Sequence, residues 1–592
     1  MEESSIPKKN VMEQIASAIV HGRYIVYLLF AAMIVFSVIG IPKVRVYTDI
    51  TAFLPSDIET RRGLNVMEDE FETFATIRAM VSNITLDTAA ELSDALSEIE
   101  HVFGVSFDDT TAHYANSSAL FSISLDCNEE TPEAETALEA VNAALEGYDT
   151  YISTAIGYDV STQVMNEMGG IVAIALLVIV VVMAFTSVSY FEVAVCMMCF
   201  GVSAVLNMGT NYLLGTISSI TNSVAIILQL ALSIDYAIIL CHRYQEEFER
   251  FGNTREAITA ALAKAIVEIS SSSLTTISGL VALTFMQFKL GYDLGIVLIK
   301  GIFFSLITIF LLMPGLIVLF HKPLEKTTHR SLVPNLRPWG SFLIRYRWGF
   351  SVLFLLLIPF GIYCSGKCPY AFSDKTIIPI TKSERYIIDE KINSTFSDET
   401  TLAVLVPRGD YESEKEILRT VEALDPVSAA TGLANTEVEP GYVLTDLYTP
   451  RMFAELVDID VEMALLLYQA YGLSNKDYTP IFNNAAEYKV PVVDMFLYMF
   501  QMMDEGVVTL KGENADKVTV LRGTLEKALL QLRGENWSRL VFTVHMPVEG
   551  EDSVALVAKI HEITDERYPG SETLVIGDIT SARDLRNTFS SD

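Results

Sequence analysis

The sequence predicts a polytopic α-helical membrane protein that carries two water-exposed α/β domains. Three observations lead there. The 592-residue chain is 51% hydrophobic yet has a formal charge of −33, and its mean hydropathy is positive, +0.36. Apolar runs recur that are long enough to cross a hydrocarbon core of roughly 30 Å at about 1.5 Å per residue. Between them lie acidic stretches with alternating strand and helix patterns. This combination reads as membrane helices joined to acidic domains in water. It excludes a soluble enzyme, and the acidic balance argues against nucleic acid as a partner. The cysteines at 127, 196, 199, 241, 364 and 368 are scattered. No zinc spacing, Walker loop or nucleophile elbow accompanies them, so neither a metal nor an organic cofactor is expected.

Residues 1–23 are polar and include Lys8, Lys9 and Arg23, with a short amphipathic helix at 11–20. The first span is 24–42. Residues 43–168 read as a soluble domain: strand 76–81, helix 88–102, strand 119–125, helix 131–145 and strand 151–156. This is the content of a split βαβ unit, a ferredoxin-like α/β sandwich. Five spans fill 169–320, placed at 169–188, 191–211, 218–241, 266–288 and 293–320. A charged loop at 242–265, with an amphipathic helix over 254–266, separates the fourth from the fifth. Pro314 can kink the sixth. A basic linker at 321–347 leads to the seventh span, 348–364, and then to a second soluble domain, 365–592. Lys and Arg concentrate in the N-terminus, 242–265 and 321–347. These are therefore expected on the cytoplasmic side, with both acidic domains outside.

The two halves resemble each other. Arg23-Tyr24 before the first span matches Arg345-Tyr346 before the seventh, and TAIGYDVS at 154–161 matches LVIGDITS at 574–581. The second soluble domain repeats the first as strand 401–406, helix 413–424, strand 540–546, helix 552–568 and strand 573–576. It carries a helical, Leu- and Met-rich insertion at 430–535. A packed helical core is one reading of those apolar faces, and a hydrophobic ligand surface is the other. In the first half, a membrane helix starts about 12 residues after Gly157. The same count from Gly577 reaches Phe589, so an eighth span is expected from the last residues of this sequence onward.

The residue that stands out is Asp235, inside the apolar run 224–241 and followed at once by Tyr236. An Asp at the centre of a spanning helix costs about 2.5–3.5 kcal/mol on translocon scales. Such residues face a protein interior or a water-filled path and mark ion or proton routes. The alternative is a structural group joining two helices by hydrogen bonds. The face of Asp235 carries Leu228, Ala231 and Ile238, and nothing polar until His242, so its partner must come from another helix. Lys300 is a second intramembrane charge. Its calculated depth makes a direct pair with Asp235 the less favoured arrangement, and snorkelling to the interface is the alternative.

Several motifs are similar to those of the RND superfamily and, within it, the MMPL family, relatives of the Patched and sterol-sensing proteins. They are Ser233-Ile234-Asp235-Tyr236 with His242-Arg243-Tyr244-Gln245-Glu246-Glu247, Ser273-Leu274-Thr275-Thr276 with Gly279, and Asp293-Leu294-Gly295-Ile296-Val297 with Gly301 and Pro314. The order of spans and soluble domains resembles that family too. The resemblance implies twelve spans, of which seven are present here, and two extracytoplasmic ferredoxin-like porter domains. It implies a proton-coupled secondary exporter of lipid-like or other hydrophobic molecules in the bacterial plasma membrane, driven by the proton gradient. Asp235 and Tyr236 would be the proton relay, supported by Ser273, Thr275, Thr276 and Lys300. The family's second Asp-Tyr pair, on a tenth helix, has no counterpart in this sequence. A missing C-terminal half, a second subunit or a homo-oligomer is therefore the expected partner, besides a membrane lipid or hydrophobic substrate. Two other functions remain open: a lipid-binding membrane sensor, and an accessory subunit of protein secretion.

Overall fold

The computed structural model describes residues 11–129, 131–157, 160–329, 337–368, 370–373, 384–396, 398–439, 441–476, 484–508 and 513–592. Lys8, Lys9 and Arg330, three of the charges that orient the chain, lie outside the described residues. The chain forms two compact units. One comprises Met1–Pro55, Asp159–Tyr370 and Thr588–Asp592; the other comprises Ser56–Tyr158 and Ala371–Asn587.

The first unit holds the apolar helices. Among the described residues, seven are long and apolar enough to cross a membrane: Arg23–Lys43, Gly169–Thr186, Tyr190–Leu214, Ser219–Phe251, Thr254–Leu283, Lys289–Leu319 and Arg347–Ser365. The first and third touch backbone to backbone. A Cβ added to Gly209 would lie 2.2 Å from the Ser37 carbonyl oxygen, so only glycine fits there. A short parallel ladder, Arg45–Tyr47 against Thr216–Ser218, joins the exit of the first span to the entry of the fourth. It is too short to be legible in the sequence.

The expected charged loop at 242–265 is helical. The fourth helix runs on to Phe251 and closes on Gly252, whose φ of 61° is left-handed. The fifth helix starts at Thr254, where the Asn253 side chain accepts from the Arg255 amide. A left-handed glycine followed by an Asn cap reverses the chain in two residues. The extended ends are held by Arg243 with Glu246 and Glu268, and by Lys264 with Glu247. The sixth span is α-helical over Lys289–Ile307, widens into a π turn over Thr308–Leu312 and resumes over Met313–Leu319. Pro314 has no amide hydrogen to give to the preceding turn, and the wider turn lies directly before it. Of the seventh helix, Arg347–Ser365, no part is buried by described residues.

The second unit holds two sheets of the same connectivity, strand–helix–strand–strand–helix–strand. In the first, Thr76–Ser82 and Ser118–Leu125 are central, with Val102–Ser106 and Asp149–Thr154 flanking them. In the second, Thr400–Pro407 and Trp537–Val544 are central, with Leu574–Gly577 and Val427–Thr431 flanking them. All of these pairings are antiparallel. Two flanking strands, Val102–Ser106 and Val427–Thr431, were not expected. Each is irregularly paired on one side only, and their Gly104 and alanines give weak strand signals. The first of them corrects the expected helix 88–102, which spans Leu86–Ser97.

Within this unit the helices that precede each sheet are exchanged. Helix Glu59–Glu70 packs on the second sheet: Glu70 accepts from the Asn536 and Trp537 amides, and Glu59 from the Val575 amide. Helix Glu384–Phe396 packs on the first sheet, where Ile392 and Phe396 cluster with Met80 and Leu120. The insertion is a helical subdomain whose Phe453, Tyr468, Met495, Phe496 and Met499 are fully buried together. Those Met and aromatic side chains therefore form a core, not a ligand surface.

Candidate functional site

The fourth helix positions the site. Its first turn is capped by the Ser218 side chain, which accepts from the Ile220 amide, and the Ser218 amide donates to Asp293 Oδ2 at 2.9 Å. With about 100° between successive residues, Gln229, Ser233, Tyr236 and Leu240 share a buried face. Leu228, Ala231, Asp235 and His242 fall on the opposite side and are exposed.

The buried face carries a hydrogen-bonded network across the third, fourth and sixth helices. Asn207 Nδ2 donates to Gln229 Oε1 at 2.9 Å, and Gln229 Nε2 donates to the Gly301 carbonyl at 3.1 Å. Ser233 Oγ lies 2.6 Å from both the Gln229 carbonyl and Ser305 Oγ. Gly301 makes room for the amides, since a Cβ there would lie 2.8 Å from Asn207 Nδ2. Lys300 joins the network at its edge, donating to the Asn207 carbonyl at 3.0 Å and to Asn211 Oδ1. Its ammonium is thus satisfied by the third helix, away from the face that bears Asp235.

Asp235 stands apart. Its carboxyl lies on the outer side of the fourth helix, and no hydrogen bond or ion pair reaches it among the described residues. Tyr236 is buried, with Thr276 as the polar neighbour of its hydroxyl. On the fifth helix Ser273 is buried and bonds back to the Ser270 carbonyl. Thr275 and Thr276 bond back to the Ser271 and Ser272 carbonyls. The structure therefore brings Tyr236 near Thr276, and it does not bring Lys300 to Asp235. Asn207, Asn211, Gln229, Asp293 and Ser305 were missed as site residues. The signal for them was present: Asn207 with Asn211, and Gln229 with Ser233, are polar pairs four residues apart in otherwise apolar helices.

Chemically, the inner network cross-braces three helices with neutral amides and hydroxyls and one lysine. The outer face of the fourth helix offers the exposed carboxyl of Asp235.

Residues 62–346 match the family model of the MMPL family. Membrane protein ActII-3 of Streptomyces coelicolor is 26% identical over 187 residues, which is 30% of this chain and 26% of that protein. Membrane protein MJ1562 of Methanocaldococcus jannaschii is 35% identical over 90 residues, 15% of this chain and 23% of its own length. The chain thus spans about a quarter of the length of the curated relatives it matches. A SecDF crystal structure in its Super-membrane-facing form superposes with a TM-score of 0.29 at 16% identity, covering 55% of this chain and 40% of that one.

Proposed function

We propose, taking the match of residues 62–346 to the MMPL family model as premise, that this protein is a proton-coupled secondary exporter of lipid-like or other amphiphilic molecules. The observation that carries the proposal is Asp235. It is an acid in the middle of a spanning helix, followed in the sequence by a buried tyrosine, and it is itself exposed among the described residues. An acid so placed is costly in hydrocarbon, and intramembrane acids mark ion or proton routes. Asp235 and Tyr236 are the proposed relay. Ser273, Thr275 and Thr276 lie on the neighbouring helix as its proposed support, and Lys300, away from the face that bears Asp235, holds the third and sixth helices together.

The rest of the proposal follows from this. The two sheets of the second unit, with their shared strand order, are ferredoxin-like porter domains on the outer side of a bacterial plasma membrane. The basic segments face the cytoplasm. A further helical bundle, on the same or another chain, covers the Asp235 face and supplies the second half of the relay. The test is transport itself. Inverted membrane vesicles from cells expressing the protein are given an inward-acid gradient and a labelled amphiphile. The proposal expects accumulation against the amphiphile's own gradient that collapses with a protonophore. Saturable binding without accumulation would replace the exporter by a lipid sensor.

A further inference from the structure

A cavity of about 240 Å³ lies within the first unit, between the start of the third helix, the end of the fourth and the end of the sixth. It is separated from the relay. Tyr244, on its wall, follows Asp235 by nine residues, or about 14 Å along the helix at about 1.5 Å per residue. The floor is apolar: Val195 and Met313 are fully buried, and Ile317 nearly so. Three glutamates line it, Glu192, Glu249 and Glu325; none of the described lining residues is a lysine, arginine or histidine.

Glu192 is the informative member. It is 7% exposed, and its Oε2 accepts from Gln245 Nε2 at 3.0 Å and from the Val188 amide at 3.4 Å. Both donors are neutral, and no ion pair reaches this carboxyl among the described residues. The fold handles a neighbouring buried acid differently: Glu247 is paired with both Lys264 and Arg250. A buried carboxylate without a cation is expensive. The rings of Tyr244 and Phe248, with centroids 5.6 Å apart, also line the cavity. Aromatic faces attract ammonium groups, and they do so independently of the acids.

We infer that this cavity binds the ammonium headgroup of an amphiphile, with the carboxyls and rings around the charge and the first methylenes on the apolar floor. Its volume is below the range of roughly 300–1,000 Å³ typical of sites that enclose a whole drug-sized ligand, so it takes a headgroup and leaves the tail outside. An aminolipid and a free cationic amphiphile both present this chemistry.

The test uses the full chain in nanodiscs and labelled decyltrimethylammonium as probe. Saturable binding is expected, with no competition from neutral decyl maltoside. Glu192→Gln should weaken binding at least tenfold, and Ile317→Trp, which fills the floor, should abolish it. Glu256→Gln, an exposed acid on the fifth helix, should leave it unchanged. Should Glu192→Gln fail to fold, Phe248→Ala at the wall carries the same expectation. Weaker probe binding in discs containing phosphatidylethanolamine than in phosphatidylglycerol discs identifies an aminolipid as the occupant; equal binding in both identifies a free amphiphile. Wild-type affinity in Ile317→Trp, or equal affinity for the neutral amphiphile, overturns the inference.

Discussion

Two charges inside the spanning helices have opposite surroundings, and their substitution should read out differently. The Lys300 ammonium is held by the Asn207 carbonyl and by Asn211. Lys300→Gln removes charge-assisted bonds between the third and sixth helices, each worth about 1.5–3 kcal/mol. We expect a lower melting temperature in detergent and only a partial loss of transport. A complete loss with an unchanged melting temperature would instead place Lys300 in the relay. Asp235, Tyr236 and Lys300 were legible because a charge or an Asp-Tyr pair in an apolar run is conspicuous. The amides of Asn207, Asn211 and Gln229 were less conspicuous: only their four-residue spacing marks them, since neutral polar residues hardly alter the hydropathy of a span. In the second unit, Glu414 is fully buried, and no ion pair reaches its carboxyl among the described residues. Desolvation, then the nearby Asp410, push its pKa up from 4.5 to about 7. A carboxyl raised in the folded state holds its proton there while the unfolded chain has released it. Stability therefore falls as pH rises from about 4.5 to about 7, by on the order of 1–3 kcal/mol. Glu414→Gln should flatten that decline, which melting curves at pH 5 and pH 7.5 will check. An undiminished decline in the variant would show that other groups cause it.

At the scale of elements, the spans were legible because hydrocarbon thickness dictates their length, and the central strands because both their faces or alternate residues are apolar. Failures fell where tertiary context decides. The 242–265 segment is charged enough to read as a loop. It is helical because Arg243, Lys264, Glu247 and Glu268 pair between two helices that continue past the apolar run. The flanking strands Val102–Ser106 and Val427–Thr431 take their structure from the neighbour they pair with. Helix contacts made by glycine are equally silent in a single sequence. Gly301 lies against Asn207 and Gln229 with no room for a methyl group. Gly301→Ala should force the sixth helix from the third and fourth and cost about 1–3 kcal/mol by overpacking. Unfolding in denaturant measures this; unchanged stability would mean that the three helices are not braced at this point.

For the whole molecule, the repeat seen in the sequence is realised in the two sheets. They share connectivity and strand order, and each receives the other's preceding helix within one unit. What the sequence could not show is how unevenly the described residues cover the membrane helices. The seventh helix has no buried residue among the described ones, the fifth is 11% buried along its apolar window, and Asp235 lies on an exposed face. In a bilayer, small hydroxylated residues and an acid on such a face favour contact with other helices over contact with lipid. The account rests on Asp235 moving protons at that face, and one substitution tests it. Asp235→Asn keeps the size of the side chain and removes the titration. In inverted vesicles from the native host, with the protein inserted at wild-type level, the account predicts that gradient-driven amphiphile accumulation is abolished. Accumulation at the wild-type rate in Asp235→Asn would contradict it.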